Sequence, residues 1–150
     1  MTITSSAFIE NATIPSVYTC DGDNYNPPLS FGGVPRDAKS LALVFEDPDV
    51  PKSIREDGMW NHWVVYNLPP DTQTIFENAA PPGTVGVGTG GLQTYQGPCP
   101  PDREHRYFFK LYALDSLIPS TQPLTKEELI QRMQGHLLAS AELMGRYGRR

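Results

Sequence analysis

His105-Arg106-Tyr107-Phe108-Phe109-Lys110-Leu111-Tyr112-Ala113-Leu114 is the stretch on which the fold turns. Its residues are strong β-formers and its apolar pattern has a period of two. That period places His105, Tyr107, Phe109, Leu111 and Ala113 on one face of a strand. Two further runs read the same way. Leu41 to Glu46 (Leu-Ala-Leu-Val-Phe-Glu) is a near-continuous apolar run that fits a buried strand ending at Asp47-Pro48-Asp49. His62 to Leu68 (His-Trp-Val-Val-Tyr-Asn-Leu) stops at Pro69-Pro70, which have no backbone donor to continue a ladder. Alternation puts His62, Val64 and Tyr66 on one face of that strand.

Outside these runs, residues 1–31 are short segments broken by Asp21-Gly22-Asp23-Asn24 and Asn26-Pro27-Pro28, and they read as short strands between turns. One helix is expected, over about residues 126–144. Thr125 and Glu128 form a capping box, and Leu124 and Leu129 take the positions of a hydrophobic staple. Leu129, Met133, Leu137, Ala141 and Met144 make an apolar stripe that covers the protein's own core. Gly145 then reads as the residue that ends the helix, and Arg146 as a complement to its dipole. The expected fold is mainly β, with an α+β periphery limited to one late, C-terminal helix. Strands do not alternate with helices, which argues against a doubly wound sheet.

A chain of 150 residues fits one domain, here 1–150, with a core that needs no staples. The 13 glycines and 15 prolines are scattered, so they mark turns and not a low-complexity tract. Net charge is −5 and no basic cluster precedes the C-terminus, which speaks against nucleic acid and anionic membrane surfaces as partners. Met1-Thr2-Ile3-Thr4-Ser5-Ser6 lacks the pattern of a secretory signal, and no apolar run reaches membrane-spanning length. A cytoplasmic location follows as the expectation. Two thiols, Cys20 and Cys99, are usually free in that compartment. Both lie in Pro/Gly-rich stretches that can converge, so a bond between them stays open.

Three segments sit at strand ends and carry the chemistry: Asp47-Pro48-Asp49-Val50-Pro51, Trp60-Asn61-His62-Trp63, and Gly97-Pro98-Cys99-Pro100-Pro101 running into His105-Arg106-Tyr107. A phosphate needs inward-pointing donors: loop amides, a tyrosine hydroxyl and imidazole N–H groups. Gly97, Tyr107, His62 and His105 supply those types. Asp47 fits beside an anion if it fixes a histidine tautomer or meets a ligand ammonium. The plain reading of the same residues is that Asp47 and Asp49 cap turns and the histidines pack in the core.

Other motifs weigh less. Gly86-Val87-Gly88-Thr89-Gly90-Gly91 matches a dinucleotide-binding pattern, but Pro/Gly segments on both sides leave no room for the helix such a site needs. His62, His105, Cys20, Cys99 and the aspartates could ligate iron or zinc, yet no close-spaced ligand pair exists. A nucleophilic Cys99 with His105 and Asp47 is conceivable. Its place between Pro98 and Pro100 does not lower a thiol pKa, and a small buried thiol is the expectation.

At these residues the chain resembles the phosphatidylethanolamine-binding protein family, closest to its short bacterial and archaeal, Raf kinase inhibitor-like branch. The resemblance rests on Tyr18-Thr19-Cys20-Asp21-Gly22, Asn26-Pro27-Pro28-Leu29-Ser30-Phe31, Asp47-Pro48-Asp49-Val50-Pro51, Trp60-x-His62 with Asn67, and Gly97-Pro98 with His105-Arg106-Tyr107. It implies a sandwich of antiparallel strands with peripheral helices, and a pocket for phosphate or phosphorylethanolamine lined by Asp47, Trp60, His62, Gly97, His105 and Tyr107. It also implies a cis bond before Pro51, a homodimer, and possible inhibition of a protein kinase or protease. Pro100-Pro101 stand where larger relatives have a Gly/Lys loop. A pocket this polar suits a headgroup better than acyl chains. The expected function is therefore non-enzymatic binding of a small anion or phosphorylated ligand, with no cofactor and no membrane insertion. The alternative is a Cys99- or metal-dependent hydrolase using His62, His105 and Asp47.

Overall fold

The chain's computed structural model describes residues 1–149. Eight strands form: β1 (Thr2–Thr4), β2 (Leu29–Gly32), β3 (Ser40–Asp47), β4 (Trp60–Leu68), β5 (Thr74–Ile75), β6 (Thr84–Val85), β7 (His105–Leu114) and β8 (Leu137–Tyr147). One helix, α1 (Lys126–Met133), precedes β8. The strands make two antiparallel sheets, β1-β2-β5 and β6-β4-β3-β7-β8. The three apolar runs of the sequence are the three central strands of the larger sheet.

Period-two alternation sorts their side chains onto two faces. Leu41, Leu43 and Phe45 of β3 face the smaller sheet, with Trp63 and Val65 of β4 and Tyr107, Phe109, Leu111 and Ala113 of β7. Ile3, Phe31 and Ile75 of the smaller sheet pack against them. The Phe45 ring lies at the centre, stacked 3.8 Å from the Phe109 ring centroid. Ala42, Val44, Val64, Tyr66 and Leu114 point the other way and are covered by Leu124, Leu129 and Met133. Burying side chains of this size contributes about 1.5–3 kcal/mol each, which is why both faces must be covered.

The β3–β4 ladder is irregular at two places, between Leu41 and Leu43 and between Phe45 and Glu46, and the second shapes the site. Phe45 pairs with Trp63, but the next residue, Glu46, pairs with Asn61. His62 is the extra residue of a β-bulge. The expected face shared by His62, Val64 and Tyr66 is therefore corrected. Val64 and Tyr66 face the helix, whereas the His62 ring lies 5.3 Å from Phe45 and 5.5 Å from Tyr107 on the opposite face. The bulge shifts the side-chain phase of β4, so that Trp60, opposite Asp47, falls on the His62 side.

The helix expected over 126–144 is half that long. Its capping box forms as read: the Glu128 N–H donates to Thr125 Oγ1 at 3.3 Å, and the Thr125 N–H to Glu128 Oε1 at 3.0 Å. It ends at Met133, and Gly135, at φ +83°, takes the left-handed conformation that turns the chain. Residues 137–147 are strand, so the helix is not the C-terminal element. A spacing of four, as in 129, 133, 137 and 141, is also a multiple of two and satisfies either geometry. Along β8 the inward positions are Leu143, Gly145 and Tyr147. Gly145 is a packing position and not a helix terminator: a Cβ there would lie 2.5 Å from Ile14 Cγ1.

Two other expectations are corrected. No cis peptide bond occurs among the described residues, so the bond before Pro51 is trans, the lower-energy form for X-Pro. Cys20 and Cys99 are joined in a disulfide, with their Cα atoms 5.4 Å apart, and Cys99 is exposed where a buried free thiol was expected.

Candidate functional site

Antiparallel pairing brings the C-terminal end of β3 beside the N-terminal ends of β4 and β7. Asp47 closes β3, Trp60 and His62 open β4, and His105 and Tyr107 open β7. The two sequence motifs on these ends bond to each other. His105 Nδ1 lies 2.6 Å from Asp47 Oδ2. Arg106 clasps Asp49 through Nε at 2.9 Å, Nη2 at 2.8 Å and its backbone N–H at 2.9 Å. Asp47 in turn accepts the Asp49 N–H at 2.8 Å. The Arg106 guanidinium holds the Asp49 carboxyl down at about 2. Asp47 is buried, which pushes its carboxyl up, opposed by the bond to His105.

The opposite wall is the segment 96–101. The Gly97 N–H donates to Asn24 Oδ1 at 2.8 Å and the Cys20 N–H to Pro98 O at 3.1 Å, and the disulfide fixes the same segment to residue 20. Gly97 is there because nothing larger fits: a Cβ would lie 2.1 Å from Tyr18 O and 2.5 Å from Asn24 Oδ1. The loop between β3 and β4 supplies the rim through Val50 and Ile54.

These walls enclose a cavity of about 290 Å³. Of the residues expected at a ligand site, Asp47, Trp60, His62 and Gly97 line it directly. His105 and Tyr107 are fully buried behind that lining, with their rings stacked at 6.2 Å. The sequence reading did not name Gln96, Val50, Ile54 and Pro101 as lining residues, nor Asp102 as a partner of His105. Asp102 was the one with a signal, since it stands three residues before His105.

Hydrogen bonding distinguishes the three donors. His62 Nδ1 lies 2.9 Å from the Gln96 carbonyl, which can only accept, so Nδ1 carries the proton. Burial pushes the His62 imidazole down to about 4, so it is neutral near pH 7 and its Nε2 is a bare acceptor. That Nε2 has no partner among the described residues. The Tyr107 hydroxyl is also buried with no partner at full hydrogen-bond geometry, the Asp47 carboxylate being the acceptor close enough to act on it. Burial, then the charge of Asp47, push its pKa far up, so it stays a donor. His105 differs, because both its nitrogens are engaged: Nδ1 by Asp47, and Nε2 by Asp102 Oδ1 at 2.6 Å.

The other candidates fall away from this cavity. Cys99 lines it, but as half of a disulfide and not as a free thiolate. The described residues hold no group of three or more His, Cys, Asp or Glu placed to ligate a metal. The Gly86–Gly91 segment follows the two-residue strand β6 and opens no helix. A larger cavity, about 470 Å³, lies among Asn24, Tyr25, Asn78 and Tyr95. It holds no buried polar group that lacks a partner, so the smaller cavity is the candidate site.

A profile of the phosphatidylethanolamine-binding protein family matches residues 4–148. The chain belongs to that family. Among its relatives, the UPF0098 protein of Chlamydia muridarum is 51% identical over 147 residues, covering 98% of each chain. The UPF0098 protein of Methanothermobacter thermautotrophicus is 46% identical over 155 residues, covering 99% of each. Among solved structures, a phosphatidylethanolamine-binding protein homologue of Chlamydia trachomatis superposes with a TM-score of 0.97 at 50% identity, over 99% of this chain and 97% of that one. Escherichia coli YbcL, described as a member of the mammalian family, gives 0.88 at 27% identity, over 99% and 98%. The family fold is thus the fold built above: mostly β, two antiparallel sheets and one helix. No helix among the described residues is long and apolar enough to cross a membrane.

Proposed function

We propose that this protein binds a small phosphorylated or otherwise anionic molecule, without transforming it, in the cavity lined by Asp47, Trp60, His62 and Gly97, with His105 and Tyr107 buried behind that lining. What carries the reading is Tyr107 Oη and His62 Nε2, two of the buried polar groups without a well-formed partner, beside Gln96 Oε1 in the same lining. Leaving such groups unsatisfied costs about 1–3 kcal/mol each, a cost a polar ligand removes. The two want different things. The tyrosine donates, so it suits a phosphoryl oxygen. The neutral imidazole accepts, so it suits a P–OH or an ammonium, or it takes up a proton as the anion arrives. A zwitterion such as phosphorylethanolamine serves both, with Asp47 as the anionic counterpart of its ammonium. A volume of about 290 Å³ is at the small end for ligand cavities, right for a headgroup and too small for acyl chains.

The cavity is complete within one chain, so the proposal needs no homodimer, and its geometry selects neither a kinase nor a protease as partner. The cytoplasmic location expected from the N-terminus and the Cys20–Cys99 bridge pull in opposite directions, because reducing cytosol keeps most thiols free. Thiol titration of protein drawn from cells without reductant decides between them.

Thermal unfolding with phosphate and with phosphorylethanolamine, at pH 6 and pH 8, tests the proposal. A ligand at a hundred times its Kd stabilises by about 2.7 kcal/mol, a Tm rise of roughly 5–11 °C at this size. The rise is expected to disappear in Tyr107→Phe, which removes one hydroxyl and little volume. An equal rise in the variant would remove Tyr107 from the site. No rise with either ligand in the wild type would sink the proposal.

A further inference from the structure

We propose that Asp102 is a built-in competitor for the anion of this pocket: its carboxylate occupies the Nε2 side of His105, and a bound anion takes its place. The inference rests on the anion-pocket reading and adds a control to it.

His105 is held between two carboxylates, Asp47 Oδ2 on Nδ1 and Asp102 Oδ1 on Nε2, each at 2.6 Å. Two such contacts need two protons, shared as an imidazolium between carboxylates or as a neutral ring beside one carboxylic acid. In either state Nε2 is satisfied by Asp102, and His105 has nothing left to offer a ligand. A ring nitrogen already engaged by an acidic oxygen resembles a ligand complex, with the protein's own side chain as the ligand.

The two carboxylates are not equally fixed. The Asp47 side chain is 4% exposed and also bonded to the Asp49 N–H. The Asp102 side chain is 41% exposed, and its other ion-pair neighbour is Arg103 Nε, at 4.0 Å. Asp102 follows Pro101, which lines the cavity, in the loop that leads into β7. Of the two, only Asp102 can swing into water without breaking the core.

Charge points the same way. Asp49 is neutralised by Arg106, and His62 is neutral near pH 7. The groups left around the ring are Asp47, Asp102 and His105, and Arg103 at the loop surface. With Asp102 in place, an incoming anion meets two carboxylates and at most one imidazolium. With Asp102 displaced from the imidazolium state, the anion exchanges one negative charge for another and gains the freed Nε2–H. The exchange favours an oxyanion with more charge than a carboxylate, such as a phosphoryl dianion, over acetate or chloride. Asp102 thereby sets both affinity and selectivity. This role differs from a loop cap, which would hold the segment and leave binding unaffected.

Calorimetric titration of inorganic phosphate and of acetate into wild type, Asp102→Ala and Asp102→Asn at pH 7 tests this. Asp102→Ala is expected to lower the phosphate Kd about ten-fold, in line with loss of one charge-assisted but half-exposed competitor. It should narrow the preference for phosphate over acetate. Asp102→Asn, which can still accept from Nε2–H but carries no charge, should fall between. The one site of change is a half-exposed side chain, and unchanged melting of Asp102→Asn secures the comparison. In the wild type, the Asp102 carboxyl carbon resonance should move on phosphate addition. Phosphate binding by the wild type with no tightening in either variant, or with an unmoved Asp102 resonance, overturns the competitor role and leaves the pocket standing. Binding only in the variants supports it. No binding by any of the three removes the pocket itself, and the competitor with it.

Discussion

His62 is neutral in the fold for a reason that the pH dependence of stability can read. Its unfolded pKa is near the ordinary value of about 6.5, and burial brings it down to about 4 in the folded protein. Between these values the unfolded chain binds a proton that the folded chain refuses, so stability rises with pH across that window. It is flat in this term above about 6.5, and the loss is complete near 4. The expected difference is about 3 kcal/mol, from the gap of 6.5 to about 4. Urea unfolding at pH 7, 5.5 and 4 should show this loss in the wild type and a shallower one in His62→Gln. Asp49, held down at about 2 by Arg106, adds a loss in the same direction only at lower pH, below about 3.8. Equal slopes in wild type and His62→Gln would mean that the imidazole titrates normally.

At the scale of elements, the short α1 depends on its first turn. Its capping box satisfies two backbone or side-chain groups reciprocally, and Leu124 and Leu129 are buried beside it. Thr125→Ala should cost about 1 kcal/mol and lower Tm by roughly 2–4 °C. No change in melting would mean that Tyr66, which accepts the Leu124 N–H, and the helix contacts suffice alone. The sequence made this helix start legible, because caps are local. It did not make the end legible. The i, i+4 stripe beyond Met133 is as good a strand pattern as a helix pattern, and β7 offers a ladder from His105 to Leu114 that decides between them. The bulge at His62 was illegible for a related reason. Alternation within β4 says nothing about the register against β3, where the extra residue is inserted.

At the scale of the molecule, the bridge from Cys20 to Cys99 spans 79 residues and fixes the wall that carries Gly97. Closing a loop of 79 residues restricts the unfolded chain by about 4.5 kcal/mol in the chain-entropy account, and bridges of this kind are worth about 2–4 in practice. Reduction should therefore lower Tm by roughly 4–16 °C. A Cys20→Ser/Cys99→Ser variant should melt at that lower temperature with or without reductant. A wild-type Tm indifferent to reductant would mean that the hydrogen bonds from Gly97 to Asn24 and from Cys20 to Pro98 hold the wall unaided.

The three central strands, the helix cap, the turns and the residue types of the pocket are legible in the chain alone, because each acts over a few residues. Asp47, Trp60, His62, Gly97, His105 and Tyr107 could be picked out because each stands at the end of an apolar run, beside a Pro/Gly turn. How they are used was set by packing between distant segments. Which nitrogen of His62 is free depends on the Gln96 carbonyl, 34 residues away. That His105 is held between two carboxylates depends on Asp47, 58 residues away, as much as on nearby Asp102. Hydrogen-bond partners, burial and charge are properties of neighbours in space. A local pattern places a side chain on a face, and the packed sheet then sets its protonation and its free lone pairs.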